Sequence, residues 1–348
     1  MGTIADHAQL RCRPDCRRAR RGRDLDNGDA AVTGDEGKER PEMKTPKAIV
    51  AFLFLIMLGF PSCGNEPQKP IMSSADARAQ EMPPNRIVSM APSITEIVFA
   101  LGLGEKVVGV SDFCDYPPEA AKRPKVGGLV NPNVEAVIAL EPDLVIALPN
   151  ATHENTYRSL RQLGIKMLSL PNDTIADLYA TVETIGQEAG AEAAAAEMIK
   201  GLQEKFAEVG SRVADRPKRR VMFIVGMDPL FVAGKGTFIN DLIGIAGGEN
   251  IAGDSSMKYP QLSIEQVVSK APEVIFYTSL NFELTGDQEK QAEKVWSAYS
   301  TIPAVKEGRI HGLVADHVTL PGPRLRIGIE EMARAIHPEA FPQREQDQ

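Results

Sequence analysis

Asn133-Val-Glu-Ala-Val-Ile-Ala-Leu-Glu-Pro-Asp-Leu-Val-Ile-Ala147 is the stretch on which the fold turns. Asn133 suits a helix N-cap, and Val134 to Leu140 carries apolar residues at helical spacing. Pro142 ends that helix, and Leu144 to Leu148 is an unbroken apolar run fit for a buried strand. The unit returns 130 positions later as Ser263-Ile-Glu-Gln-Val-Val-Ser-Lys-Ala-Pro-Glu-Val-Ile-Phe-Tyr277. Val134/Ile264, Glu135/Glu265, Val137/Val267, Ile138/Val268, Pro142/Pro272, Asp143/Glu273 and Val145/Ile275 match at that one offset. The period is far too long for a solenoid and predicts two lobes of like build. Helix–proline–strand units resemble one another in general, but seven paired positions at one offset favour a true repeat.

Outward from this unit, short β-rich runs alternate with helical stretches. Ile87 to Met90 reads as a strand, and Val107 to Val110 as a second. Between them a helix over Ile94 to Leu101 is expected, with Ser93 as cap, Glu96 at the capping-box position and Gly102 as the stop. Ile165 to Leu170, Val221 to Val225 and Val274 to Tyr277 read as strands, and Phe238 to Ile245 as a helix stopped at Gly247-Gly248. Strand–helix alternation implies α/β lobes with parallel sheets. Residues 85–172 form the first lobe, 218–342 the second, and 343–348 a tail. Residues 173–217, rich in Ala and Glu, join them. Ile199, Leu202, Phe206 and Val209 lie at helical spacing there, and a long helix starting near Ala191 and ended by Pro217 predicts small lobe motion.

The first part of the chain reads as an address. Residues 1–42 are polar and lack apolar periodicity, the mark of a disordered extension or of a start placed upstream of the true one at Met43. Lys44 and Lys47 precede an apolar run from Ala48 to Phe60, too short for a membrane span of about 20 residues and fit for a signal peptide over 43–62. Ser62-Cys63-Gly64 follows, which resembles the bacterial lipoprotein signal and makes Cys63 the candidate lipid anchor. Plain secretion is the alternative. Proline- and serine-bearing residues 63–84 read as a tether.

Composition removes several function classes. A formal charge of −8 argues against nucleic acid as a partner. Four cysteines in 348 residues are too few for a disulfide scaffold, and no His-x-x-x-His or Cys-x-x-Cys pair offers a local zinc site. No nucleophile elbow, Walker loop or dinucleotide fingerprint is present. Asp112 and Asp115 read as turn residues beside Pro117-Pro118. Glu135 and Glu265 each sit in the first turn of a helix. Dipole compensation would account for them at ~0.3–1 kcal/mol each. Alternatively, two equivalent lobes present two equivalent carboxylates to a two-fold symmetric partner with two basic sockets.

Arg86-Ile-Val-Ser-Met-Ala-Pro-Ser-Ile-Thr-Glu-Ile97, Ser111-Asp-Phe-Cys-Asp-Tyr-Pro-Pro118, the 133–147 unit, Gly247-Gly-Glu-Asn250, Tyr259-Pro-Gln-Leu-Ser-Ile-Glu-Gln-Val267 and Pro321-Gly-Pro-Arg324 occur in that order. Together they resemble the bacterial periplasmic binding proteins for cobalamin, haem and ferric siderophores over about residues 85–340, with the cobalamin binders most alike. The resemblance implies two α/β lobes joined by a long helix, a ligand cleft between them, and no enzymatic activity. It implies a monomer that delivers its cargo to an ABC permease dimer with ATPase subunits. Carried over by position, Glu135 and Glu265 are the carboxylates that dock on permease arginines. The cleft lining is then Phe113, Leu129, Leu148, Phe231, Tyr259, Asp316 and His317, with Phe113 and Tyr259 as the main walls. Leu129 and Leu148 stand where the cobalamin binders carry tryptophans, which keeps haem or a ferric siderophore open beside a corrinoid. His317 is the possible axial contact to a metal centre. A metal-cluster enzyme on a related two-lobed architecture is the alternative of another class.

Overall fold

The computed structural model describes residues 82–128, 131–150, 154–278 and 294–341. Leu129, Cys63, the signal-like run and the tether as far as residue 81 lie outside the described residues. In the first lobe, β1 (Ile87–Ser89), β2 (Val107–Val110), β3 (Leu144–Ala147) and β4 (Lys166–Ser169) form one sheet in the order β2-β1-β3-β4, parallel throughout. Helices α1 (Pro92–Ala100), α2 (Pro118–Ala121), α3 (Val134–Ala139) and α4 (Glu154–Gln162) connect or flank them. Two helices follow, α5 (Ile175–Ala189) and α6 (Glu192–Val213), broken at Gly190, whose φ of 70° suits only glycine at little cost. At 22 residues α6 is about 33 Å long.

The second lobe repeats the scheme with one difference. β5 (Arg219–Met227), β8 (Val274–Thr278) and β9 (Ile310–Leu313) run parallel, and β7 (Gly248–Asn250) pairs parallel with β5. β6 (Leu230–Val232) pairs antiparallel with β5. This sheet is therefore mixed, because the short Asp228–Pro229 turn folds β5 straight back on itself. Helices α7 (Phe238–Ile245), α8 (Ile264–Lys270), α9 (Pro303–Lys306), α10 (Ala315–Val318) and α11 (Leu325–Ile336) complete it.

The 130-residue offset holds at atomic detail. Asn133 Oδ1 accepts the Ala136 N–H at 2.9 Å, and Ser263 Oγ accepts the Gln266 N–H at 3.3 Å, so both helices are capped as their sequences predict. Both then end one residue before proline in a left-handed residue, Glu141 at φ 43° and Ala271 at φ 45°. In the first lobe Arg86 Nε donates to the Leu140 and Glu141 carbonyls while its own N–H donates to Asp143 Oδ2. In the second, Arg220 Nε donates to the Ala271 carbonyl and its N–H to Glu273 Oε2. Each arginine thus satisfies the carbonyls orphaned at a helix end. The pairs Ile87–Leu144 and Val221–Val274 set the same strand register in both sheets.

Alternation along the strands divides the apolar side chains into inner and outer layers. Ile87, Leu144 and Ile146 of the first sheet share one continuous core with Val221, Phe223, Val274 and Phe276 of the second. The buried faces of α5 and α6, including Leu178, Ile185, Leu202, Phe206 and Val209, carry that core from lobe to lobe. The opposite faces pack separately, Val88 and Val145 with Val137 of α3, and Met222 and Ile275 with Val267 of α8. A shared core along the connecting helices resists large relative rotation of the lobes.

One capping expectation is corrected. The α1 helix starts at Pro92 with Ala91 as N-cap and no side-chain cap, so neither Ser93 nor Glu96 serves as one. Pro92 fills the first helical position, where a missing N–H costs nothing. Glu96 is 2% exposed and pairs with a residue 228 positions away.

The β9 residue His311 pairs with Phe276 across the sheet, its ring 6.1 Å from the phenyl ring. Burial, and then the Arg309 charge, push its pKa below the usual value. The unfolded chain therefore takes up this proton first as pH falls. Stability present above about pH 6.5 is lost as pH drops through the folded-state value. His311→Phe should flatten the fall in the urea midpoint between about pH 7 and pH 5. Parallel curves for variant and native protein would contradict this.

Candidate functional site

The turn after β2 is braced from inside. The Asp112 N–H donates to the Gly127 carbonyl at 3.0 Å, and Lys125 Nζ to the Cys114 carbonyl at 3.0 Å. The Cys114 thiol is fully buried, 3.0 Å from Ser111 Oγ, and accepts from Thr95 Oγ1 at 3.1 Å. Burial pushes its pKa up, so it remains a neutral anchor. With Cys114 held inward, Phe113 is left 60% exposed. Its ring lies over Gly128, where a Cβ would come within 3.3 Å of it.

Tyr259 has a similar setting in the second lobe. The strand-like segment around it lies along β6: the Val232 N–H donates to the Pro260 carbonyl at 3.1 Å, and the Leu262 N–H to the Leu230 carbonyl at 3.0 Å. Gly234 donates to the Lys258 carbonyl at 2.7 Å, and a side chain there would crowd the Met257 carbonyl and Pro260. Lys258 Nζ reaches Asp173 Oδ2 at 2.7 Å, tying this segment to the connector before α5. Tyr259 stays 43% exposed, and burial of its hydroxyl, with Asp173 nearby, raises its pKa. Exposed Met257 and Met227 accompany it. Phe231 of β6 is half-buried, and Leu148 is packed against the shared core.

Asp316 and His317, on α10, are held by neighbours. Asp316 Oδ2 accepts from Arg324 Nη2 at 3.0 Å, and His317 Nδ1 lies 3.0 Å from Glu331 Oε1. Arg324 also forks onto Glu96, Nε to Oε2 at 2.9 Å and Nη2 to Oε1 at 2.5 Å. Its guanidinium stacks 4.3 Å over the Tyr116 ring. Burial pushes the Glu96 carboxyl up, against the pull of Arg324. A crevice of about 590 Å³ opens here, lined by Phe99, Tyr116 and Pro117 of the first lobe and Pro323 and Ile327 of the second. The α10 helix is seated tightly on α11, because a Cβ on Gly328 would overlap the His317 carbonyl. Gly328→Ala should therefore cost at least ~2 kcal/mol of stability by urea unfolding. A neutral variant would mean that α10 is not seated in this way.

Sequence reasoning placed Arg324 and Tyr116 only within motifs and gave neither a role. The available signal was a lone carboxylate, Glu96, among Ile94, Ile97 and Val98 on a helix otherwise apolar on this side. Trp296 is core, 1% exposed and edge-on to Tyr299. Among the described residues no three His, Cys, Asp or Glu side chains converge as a metal site.

Glu135 and Glu265 are exposed, and the same neighbours surround them in each lobe. Val137 and Val267 are fully buried and seat the two helices, while Ile138 and Val268 are 39% and 38% exposed one turn beyond each glutamate. Hydrogen bonds from the Ser263 side chain and from the backbone hold the Glu265 carboxyl below its usual range. The exposed Ala139 and Ser269 complete the match.

The sequence pattern of the periplasmic binding protein family matches residues 87–316. The chain is 33% identical to an uncharacterized ABC transporter substrate-binding lipoprotein, YvrC, of Bacillus subtilis, over 86% of this chain and 99% of that protein. The crystal structure of the periplasmic vitamin B12-binding protein BtuF of Vibrio cholerae superposes with a TM-score of 0.65 at 29% identity, over 75% of this chain and 99% of the other. The periplasmic heme-binding protein RhuT of Roseiflexus sp. RS-1 gives 0.65 at 27%, over 74% and 99%. Duplicated α/β lobes, a connecting helix with a core shared across it and a family match over two-thirds of its length place this chain in the periplasmic binding protein family.

Proposed function

We propose that this chain is the substrate-binding lipoprotein of an ABC importer, capturing a corrinoid metal complex outside the cytoplasm and handing it to the membrane permease. The family is one of transport receptors rather than enzymes, and its members work with a permease and an ATPase. The observation that carries the cargo reading is the pair Phe113 and Tyr259, one large exposed ring on a braced segment of each lobe. A corrinoid or haem is a wide flat body with polar edges, and rigid aromatic walls bind it through buried area at low entropic cost. Phe231 and Leu148 extend the walls, with Asp316 and His317 toward the polar edge. Lipidation of Cys63 would hold the receptor at the membrane, helped by a second chain because one alone anchors weakly.

Haem or a ferric siderophore is the second reading, favoured by leucine at 129 and 148 where the cobalamin binders carry tryptophan. For haem, His317 offers Nε2 as an axial contact, its Nδ1 being held by Glu331. Native mass spectrometry of the protein purified from its own envelope tests both. A corrinoid mass supports the first reading, and a haem or siderophore mass the second. A chain that leaves the envelope empty and then binds none of the three in titration would overturn both. A Soret shift on adding hemin, lost in His317→Ala, would select haem.

Delivery is assigned to Glu135 and Glu265. Two equivalent acids, each with an exposed aliphatic neighbour, suit a permease dimer with two sockets that are basic at one edge and apolar at the other.

A further inference from the structure

We infer that Arg324 is a specificity-determining residue that acts by position: it latches the second lobe to the first through Glu96 and so sets the gap that a flat cargo must fit. The geometry is that of a keystone. Arg324 is 13% exposed, Glu96 2% and Asp316 18%. Glu96 receives the planar fork from two nitrogens, the strongest arrangement for a guanidinium and a carboxylate. Both ends of the latch are rigid. Ile94, Ile97 and Val98 bury α1 against the first sheet, and Gly322 packs so near Glu96 that an added Cβ would sit 3.6 Å from its Oε2. On the other side, Gly328 seats α10, and with it Asp316, against the helix that Arg324 begins. Stacking on Tyr116 adds a second tie to the first lobe. The Lys258–Asp173 pair also joins the second lobe to the connector, but it is half in solvent, where such pairs contribute little.

The charges make the latch responsive. One guanidinium serves two carboxylates, the buried Glu96 of the first lobe and the part-buried Asp316 of the second. A cargo group that occupies Asp316 leaves Arg324 wholly to Glu96 and tightens the seam. This coupling rests on the reading of Asp316 as a cargo contact; the latch itself does not.

The test uses the full chain with Cys12, Cys16 and Cys63 changed to serine and buried Cys114 kept. Spin labels go on Ala139→Cys and Ser269→Cys, one exposed site per lobe, and electron–electron resonance reads the distance between them. The native chain should give one narrow distribution. Arg324→Gln and Glu96→Gln should each broaden it by about twofold or more, while Asp316→Asn leaves it narrow because the fork onto Glu96 remains. A residue with only a structural role in the second lobe would show another pattern: Arg324→Gln and Asp316→Asn alike, Glu96→Gln silent. That pattern, or an unchanged width in both Glu96→Gln and Arg324→Gln, overturns the latch. If Arg324→Gln does not fold, Glu96→Gln decides alone, since it leaves Arg324 paired with Asp316. Cyanocobalamin and hemin then serve as probes in Glu96→Gln, where the ratio of their dissociation constants should move toward one by about fivefold or more. An unchanged ratio overturns the role in specificity. If the native chain binds neither probe, the cargo reading fails while the distance widths still decide the latch.

Discussion

Phe113→Ala should weaken cargo binding by roughly 50-fold, and Tyr259→Ala by a similar factor. A flat ligand covering about 100 Å² of each ring gains ~25 cal/mol per Å², or about 2.5 kcal/mol per wall. The loss should be one of affinity alone. Phe113 is 60% exposed and Tyr259 43%, so neither supports the core, and the bonds that brace their segments run through the backbone, Cys114 and Lys258. Calorimetric titration of each variant beside the native chain, with thermal unfolding as the control, separates the two effects. Unchanged affinity in both variants would remove these rings from the cargo site.

Glu135→Ala/Glu265→Ala should abolish uptake, by about 100-fold or more, while cargo affinity and melting temperature stay as they are. In the proposed docking, each carboxylate would be desolvated against a basic group only in the complex, and losing both would leave two cations buried without partners. The fold should not notice, because the caps come from Asn133 and Ser263 and the buried anchors are Val137 and Val267. Ile138→Gln/Val268→Gln should give a smaller loss of uptake. Cells whose only copy is the double glutamate variant, yet which take up cargo at the native rate, would refute the docking role.

Much of the frame was legible because it is written in local chemistry. Asn133 and Ser263 announce two helix starts, Pro142 and Pro272 two ends, and apolar runs two buried strands, all at one offset. Gly102, at φ 76° just past α1, is the stop its sequence position implies. The connecting helix begins at Glu192, beside the predicted Ala191. What was not legible depends on partners distant in the chain. Nothing near Glu96 says that its partner lies 228 residues on, and a glutamate three residues after a serine resembles a cap wherever it occurs. The antiparallel β6 escaped notice because a turn of two residues, Asp228-Pro229, carries the whole signal. For the proposed site, the rings at 113 and 259 were named through the family resemblance, and their exposure depends on a thiol buried beneath one loop and a lysine reaching a different element from the other.

The proposal of a metal-complex receptor has one direct test, equilibrium titration of the native chain with cyanocobalamin, hemin and a ferric siderophore in turn. Saturable binding of one of them at a single site per chain, lost together with Phe113 and Tyr259, is the predicted result. No heat, no spectral change and no rise in melting temperature with any of the three, up to high micromolar concentration, would contradict it.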